Sequence, residues 1–144
     1  MIYTPLTRKA MILMFEGHKE QKDKSGVPYV FHPFHVAEQM DDEISCAVAL
    51  LHDLVEDTSI TVEDLRRQGF PDAVCDAVAL MTHREGVPYM DYIRRIKENP
   101  IAVKVKLADL RHNSDPSRLA VQTEKDLARM RKYQAAMELL TESR

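Results

Sequence analysis

The 144-residue sequence contains no tryptophan, only two cysteines and only four glycines. Cys46 and Cys75 both lie in apolar helical patterns, so neither a disulfide framework nor a cysteine-based zinc site is expected. The apolar run at residues 11–15 is too short for a membrane span or a signal-peptide core, which predicts a cytoplasmic protein without membrane association. The small net charge of −3 disfavours nucleic-acid binding, which normally requires a basic face.

Helical periodicity is present along almost the whole chain, whereas no alternating pattern is long enough to predict a strand. Proline or a capping threonine opens most of the helical segments. The predicted helices cover about residues 5–20, 33–40, 42–56, 61–69, 71–82 and 88–96, a segment that begins at 100, and 123–141. No linker or repeat interrupts the pattern. The sequence therefore predicts an all-α orthogonal helical bundle with one domain over residues 1–144.

One apolar helical segment, residues 44–57, ends in a cluster of polar side chains. On a continuous helix, His52, Asp53, Glu56 and Asp57 would form one contiguous patch. Carboxylates near a core are costly unless they are neutralised, and no run of lysine or arginine lies nearby in the sequence. A metal ion is the simplest partner. The alternative is a solvated helix end, although carboxylates are unfavourable at a helix C-terminus.

Two further candidate ligands lie where apolar segments meet polar ones: His32, at the expected N-cap of the helix that Pro33 opens, and Asp109. Together with His52 and Asp53 they form a set of nitrogen and oxygen donors without sulfur. Such a set suits a divalent ion such as Mn²⁺, Fe²⁺, Zn²⁺ or Mg²⁺. We expect these four side chains to meet in one site.

Several motifs occur in a characteristic order along the chain. They are His-Lys-Glu-Gln at 18–21, Ser-Gly-Val-Pro-Tyr at 25–29, His-Pro at 32–33, Leu-Leu-His-Asp-Leu-Val-Glu-Asp-Thr at 50–58, Lys-Leu-Ala-Asp at 106–109 and His-Asn at 112–113. This set resembles the HD superfamily of metal-dependent phosphohydrolases, and more narrowly the (p)ppGpp hydrolase domain of RelA/SpoT-type enzymes and their small stand-alone relatives. The resemblance covers about residues 10–119 and implies an HD-type fold.

The resemblance also implies roles for individual residues. His32, His52, Asp53 and Asp109 would hold one divalent ion, usually Mn²⁺ in that family. Glu56 and Asp57 would orient and activate the attacking water. Lys24, Ser25 and Asn113 would hold phosphate or ribose. The implied reaction is removal of the 3′-pyrophosphate from guanosine-3′,5′-bis(diphosphate), the nucleotide of the stringent response. Synthetase activity is not expected, because no synthetase domain follows.

The sequence departs from the family at three places near the substrate. Asp23 replaces an arginine that stacks on guanine, Arg111 is displaced by one position, and Asp115-Pro116 occupies the region of another arginine. These changes remove planar guanidinium groups, so weak binding of guanosine nucleotides is expected. Two alternatives stay open: a phosphatase for another nucleotide, such as a 2′- or 3′-phosphorylated dinucleotide or a nucleoside monophosphate, and a catalytically silent nucleotide sensor.

Two expectations concern the surroundings of the site. His112 is expected in the core or beside the metal ligands. The terminal helix at about 123–141 carries an apolar stripe, which could close the bundle or form a homodimer.

Overall fold

The computed structural model describes residues 1–142, and helices account for nearly all of its regular structure. The helices are α1 (Pro5–His18), α2 (Phe31–Glu38), α3 (Glu43–Leu51), α4 (Leu54–Asp57), α5 (Val62–Arg67), α6 (Asp72–Met81), α7 (Tyr89–Ile96), α8 (Pro100–Asn113) and α9 (Glu124–Thr141), with a 3₁₀ turn at Pro116–Arg118. Over the described range, the β-structure is a single bridge between Lys22 and Pro28. The all-α prediction is confirmed. Within residues 1–142, no helix is both long enough and apolar enough to cross a membrane.

Three helices begin with a threonine capping box. In each box, the threonine hydroxyl accepts from a backbone N–H three residues later, and that later side chain accepts from the threonine N–H. The pairs are Thr4 with Thr7 before α1, Thr61 with Asp64 before α5, and Thr123 with Asp126 before α9. Local chemistry therefore fixes these starts independently of the tertiary packing.

Two helix boundaries differ from the prediction. His32 is not an N-cap, because Val30 caps α2 and His32 lies buried in its first turn. The continuous helix predicted over 42–56 is also wrong, since α3 ends at Leu51 and α4 begins at Leu54. At the break, His52 Nδ1 lies 2.5 Å from the Ala49 carbonyl oxygen. The imidazole thus contacts the Ala49 carbonyl, which in a continuing helix would accept a hydrogen bond from the backbone N–H of Asp53.

The core is built around α3, whose residues from Cys46 to Leu51 are fully buried. A helix that is apolar on every side needs neighbours on every side, and α1, α2, α6 and α8 pack around it. Cys46 and Cys75 are both buried free thiols. The last helix, α9, packs against α7 and α8 and buries Ala136 and Leu140, so its apolar stripe closes the bundle. Homodimerisation stays a prediction.

Gly17 allows α1 to approach α4 closely. A Cβ at this position would overlap the Leu54 side chain, which is fully buried. Leu54 is the first residue of α4, the short helix that carries Glu56 and Asp57. The missing side chain at Gly17 therefore helps to place these two carboxylates.

The N-cap of α3 gives a testable contribution to stability. Asp42 accepts a hydrogen bond from the Ser45 N–H at 2.8 Å and pairs with Lys104 at 2.8 Å. Lys104 and the Ser45 amide lower the pKa of Asp42 to about 2. We expect Asp42→Ala to lower the free energy of unfolding by about 1 kcal/mol at neutral pH. Because the folded-state pKa is depressed, this contribution is present above pH 4 and is lost as the pH falls towards 2.

Urea denaturation of wild type and Asp42→Ala at several pH values would measure this difference. Asp41→Ala is the matched control, because Asp41 also pairs with Lys104 while Asp42 provides the helix cap. An exposed ion pair contributes less than about 1 kcal/mol, so the control should unfold nearly as wild type does. Equal losses in both variants would contradict the capping role.

Candidate metal centre

Four side chains from distant parts of the sequence meet between α2, the α3–α4 junction and α8. They are His32, His52, Asp53 and Asp109, and one ligand atom from each lies within 4.8 Å of all the others. His32 Nε2 is 2.8 Å from Asp109 Oδ1, and His52 Nε2 is 3.1 Å from Asp53 Oδ2. Both histidines and Asp109 are only 2–3% exposed. The structure thus brings together the four residues that the sequence singled out.

Both imidazoles direct Nε2 into this cluster, because Nδ1 of each is engaged elsewhere. His52 Nδ1 contacts the Ala49 carbonyl, so we assign it the proton and leave Nε2 as the ligand atom. Among the described residues, this buried Nε2 has no hydrogen-bond partner. His32 Nδ1 lies 2.7 Å from His112 Nδ1. Burial and Arg118 lower the pKa of His112 to about 4, so the neutral ring can accept the His32 proton.

The cluster attracts positive charge. Burial disfavours charge on His52, yet Asp53 and Asp109 raise its pKa well above the ordinary value. Burial would likewise raise the pKa of Asp53, but His52 holds it at about 2. Both carboxylates therefore stay ionised. Their negative charge favours a proton on the His52 ring. A divalent ion would satisfy the same requirement.

The sequence did not reveal a cation beside these carboxylates, but the structure contains one. Lys106 Nζ is 3.0 Å from Asp109 Oδ2 and 5.2 Å from the centre of the Tyr92 ring. Burial opposes the charge, but Asp109 raises the lysine pKa well above its usual range. The signal was available in the i,i+3 spacing of the two residues on one helix. Lys106 offsets part of the buried negative charge and holds one Asp109 oxygen in place.

The donor set fits a divalent cation. Two imidazole Nε2 atoms and two ionised carboxylates face one another, and Nδ1 of each of the two histidines contacts a neighbouring group. Tyr29 also donates its hydroxyl to Asp53 Oδ2 at 2.6 Å, which orients that carboxylate. Buried carboxylates with such partners are arranged as metal ligands are, whereas a solvated helix end would leave them exposed.

Glu56 and Asp57 lie on α4, directly after the ligand pair His52-Asp53. Glu56 Oε1 accepts the backbone N–H of His83. Partial burial raises the pKa of Glu56, and partial burial together with the charge of Asp53 raises the pKa of Asp57. Raised carboxyl pKa values suit groups that both accept and return a proton.

A cavity of about 370 Å³ adjoins the cluster. Its walls come from the loop at 22–25, Tyr29, Asn113, the segment 115–119 and α9 from 126 to 133. Tyr29 connects the two regions, because its ring lines the cavity while its hydroxyl contacts Asp53. Asn113 does the same on the opposite side, since its Nδ2 donates to Asp109 Oδ1 at 3.1 Å. A molecule in the cavity would therefore lie beside the four-residue cluster.

Comparison with known proteins identifies this arrangement. The chain is 38% identical over 109 residues to a GTP pyrophosphokinase of Streptomyces coelicolor, and 36% identical over 107 residues to a guanosine-3′,5′-bis(diphosphate) 3′-pyrophosphohydrolase of Aquifex aeolicus. These matches cover 67% and 65% of the chain. A solved structure described as a metazoan ortholog of SpoT that hydrolyzes ppGpp superposes with a TM-score of 0.75 at 25% identity, covering 97% of this chain and 87% of that one. This chain is a RelA/SpoT-like HD domain.

The RelA/SpoT-like domain spans only 13% and 15% of the length of the two curated relatives. No protein-family model matches the chain. The structural match confirms the HD-type helical fold that the motifs implied.

In this RelA/SpoT-like domain, the predicted substrate residues Lys24, Ser25 and Asn113 line the cavity, and each of them contacts a different part of the protein. Lys24 Nζ points to Asp126 Oδ1 at 3.3 Å. The Ser25 hydroxyl donates to the Arg118 carbonyl at 2.9 Å and accepts from the Ala120 N–H at 3.0 Å. Ser25 thus joins the loop at 22–25 to the segment after α8, and its contact with a substrate stays a prediction.

Sequence reasoning missed two guanidinium groups in the cavity wall, those of Arg118 and Arg129. Arg129 lies 2.5 Å from Asp126 Oδ1, the carboxylate oxygen that also contacts Lys24. Arg118 ends the 3₁₀ turn that begins at Pro116, in the region where Asp115-Pro116 replaces a family arginine. Arg111, by contrast, lines a separate groove with Lys97, which follows α7, and with residues of α8 and α9. The displaced arginine therefore faces away from the cavity, while a later one takes a place in it.

Proposed function

We propose that this domain is a metal-dependent pyrophosphohydrolase that removes the 3′-pyrophosphate of guanosine-3′,5′-bis(diphosphate). The observation that carries the proposal is the convergence of His32, His52, Asp53 and Asp109 beside a cavity lined by basic side chains. The names of the relatives support the choice of substrate, since one is a pyrophosphohydrolase of this nucleotide and another hydrolyzes ppGpp.

The four clustered residues would hold one ion, and Mn²⁺ fits their mixed imidazole and carboxylate donors. When bound, such an ion lowers the pKa of a water molecule and neutralises phosphoryl oxygens. The protein supplies the remaining functions. Tyr29 and Lys106 orient the two carboxylates through their contacts with Asp53 and Asp109. His112 keeps the His32 ring in the tautomer that presents Nε2.

Glu56 and Asp57 would transfer the proton from the attacking water to the leaving oxygen during hydrolysis. Water attacks the phosphorus bonded to the ribose O3′, the new P–O bond forms and the bond to O3′ breaks. A carboxylate of this pair accepts the water proton and then returns it to O3′, so the products are the 3′-hydroxyl and pyrophosphate. Their raised pKa values favour this exchange, because each carboxylate is a better base than an exposed one.

The cavity would bind the rest of the nucleotide. Lys24 and Arg129 share one Asp126 oxygen, so both cations are held at the cavity wall before a phosphate arrives. Asn113 links the wall to Asp109 and would contact ribose or phosphate next to the cluster. Positioned charges of this kind bind phosphate with less loss of side-chain entropy than free ones.

A substrate panel tests the proposal. Purified protein is incubated with Mn²⁺ and with guanosine-3′,5′-bis(diphosphate), a 2′-phosphorylated dinucleotide, a 3′-phosphorylated nucleotide or a nucleoside monophosphate. We expect release of pyrophosphate from the first, and its loss on chelation of the metal. Release of orthophosphate from another member alone would replace the proposal with a different nucleotide phosphatase. Tight binding without turnover would identify a sensor.

A further inference from the structure

Asp23, a departure of this sequence from its family, lies beside an arginine that none of the family motifs contains. Asp23 is in the loop before α2, and Arg118 ends the 3₁₀ turn after α8. In the structure, Arg118 Nη2 is 3.8 Å from Asp23 Oδ2, and both side chains line the cavity. They are largely enclosed, with 24% and 19% of the side chains exposed. An arginine from another segment of the cavity wall therefore lies beside Asp23.

Hydrogen bonds fix one terminal atom of each side chain, Asp23 Oδ1 and Arg118 Nη1. Asp23 Oδ1 accepts the backbone N–H groups of Ser25 and Val27 at 2.9 and 3.0 Å. Arg118 Nη1 donates to the His112 carbonyl at 3.0 Å and to Asn113 Oδ1 at 3.3 Å. The Ser25 hydroxyl bonds both segments together. The orientation of the two groups is thus set before a ligand binds.

The other half of each side chain is available. The 3.8 Å separation is longer than a hydrogen bond. Within the described residues, no hydrogen bond reaches Asp23 Oδ2 or leaves Arg118 Nη2. The cavity therefore presents a charged acceptor beside a charged donor. Phosphate does not suit this pair, since the carboxylate repels it. A nucleobase edge with adjacent donors and an acceptor does.

We propose that Asp23 and Arg118 together read the base of the bound nucleotide and select guanine. Asp23 Oδ2 accepts from the N1–H and the N2 amino group of guanine, and Arg118 Nη2 donates to O6. This inference rests on the proposed function, since it assumes that a nucleotide occupies the cavity. It also reverses the expectation drawn from sequence, because Asp23 contributes to guanosine recognition instead of weakening it.

The test compares kcat/KM for the 3′,5′-bis(diphosphates) of guanosine, inosine and xanthosine in wild type and Asp23→Asn. Inosine lacks the N2 amino group, and xanthosine carries an oxygen there. Wild type should prefer guanosine over inosine by about tenfold to a hundredfold, the usual value of one good base contact. Asp23→Asn keeps an oxygen for the two loop amides but replaces the free acceptor by a donor. It should abolish the preference for guanosine over inosine and raise the relative rate with xanthosine.

Arg118→Ala and Arg118→Lys test the other member of the pair. Both should raise KM for the guanosine substrate by about tenfold or more, since a lysine lacks the fixed guanidinium fork. Arg111→Ala is the matched control, because Arg111 belongs to the same region but lines a different groove. It should keep the selectivity of wild type. Thermal unfolding and Mn²⁺ affinity of every variant would verify that the fold and the metal cluster are intact.

The outcomes separate the two proposals. If wild type hydrolyses none of the three substrates, the proposed function fails. If it hydrolyses them all equally well, or if Asp23→Asn leaves the guanosine preference unaltered, the base-reading role is overturned while the hydrolase proposal stands. An equal fold loss for guanosine- and adenosine-3′,5′-bis(diphosphate) in Arg118→Ala would overturn it as well. Adenine carries an amino group in place of O6, so an equal loss would be the signature of a phosphate contact.

Discussion

Replacing Asp53 with alanine is expected to abolish metal binding and hydrolysis together. Asp53 Oδ2 lies 3.1 Å from His52 Nε2 and 3.7 Å from His32 Nε2, so it closes one side of the cluster. Loss of groups that merely orient metal ligands typically costs tenfold to a hundredfold in affinity, so loss of a carboxylate ligand should cost at least about a hundredfold. Hydrolysis in Asp53→Ala should fall to the background rate.

Calorimetric titration with Mn²⁺ and the metal-induced rise in Tm would measure this loss without reference to activity. An ion at a hundred times its Kd stabilises a protein by about 2.7 kcal/mol, an increment that Asp53→Ala should lack. Tyr29→Phe is the matched variant, because it removes only the hydroxyl that donates to Asp53. Its affinity should fall by less than that of Asp53→Ala. Unchanged Mn²⁺ affinity in Asp53→Ala would remove Asp53 from the ligand set.

Glu56→Gln and Asp57→Asn are expected to do the opposite, keeping the metal and losing turnover. Both substitutions preserve the shape of the side chain, and neither residue belongs to the four-residue cluster. Proton transfer by a positioned side chain typically contributes about a hundredfold to ten-thousandfold to the rate. We expect kcat to fall by that amount in at least one variant, while Mn²⁺ affinity changes by only a few-fold.

Rapid-mix measurement of pyrophosphate release, together with Mn²⁺ titration, would separate these effects. Glu63→Gln is the control, since Glu63 is an exposed carboxylate on the neighbouring helix α5. It should match wild type in both measurements. Full turnover in both Glu56→Gln and Asp57→Asn would rule out their role in proton transfer.

The balance of charge around the cluster explains why Lys106 belongs to the site. Two ionised carboxylates, those of Asp53 and Asp109, lie in the cluster, and two more follow on α4. Lys106 contacts Asp109 Oδ2 from within the protein, so that Asp109 is neutralised on one side and free to face an ion on the other. A buried pair of this kind is costly to break, because either partner alone would be an uncompensated charge.

Features governed by neighbouring residues could be predicted from the sequence. The capping boxes at Thr61 and Thr123 depend on side chains three residues apart, and the burial of α3 follows from an apolar segment without a polar face. His52 and Asp53 are adjacent, so one apolar segment necessarily delivers both to the same place. Short-range hydrogen bonding and hydrophobic periodicity are sufficient for these predictions.

The helix break at His52, by contrast, could not be predicted from neighbouring residues. The local pattern favours a continuous helix, and propensity gives no reason to stop at Leu51. The position of the imidazole is decided by Asp53 and by Asp109, which arrives from α8 more than fifty residues later. Contacts between distant segments outweigh the local preference, so the break is a tertiary feature.

The sequence by itself determined the helical class, most of the helix starts and the identity of the four clustered residues. These depend on the order of residue types along the chain, which short-range interactions and family motifs both record. The tertiary structure alone decided which cations face which carboxylates. Lys106 reaches Asp109, Arg118 lies beside Asp23, and Arg111 faces away, according to how α8 and the following turn pack against the rest of the bundle. Long, flexible basic side chains have no fixed direction in a sequence, and only the packed backbone gives them one.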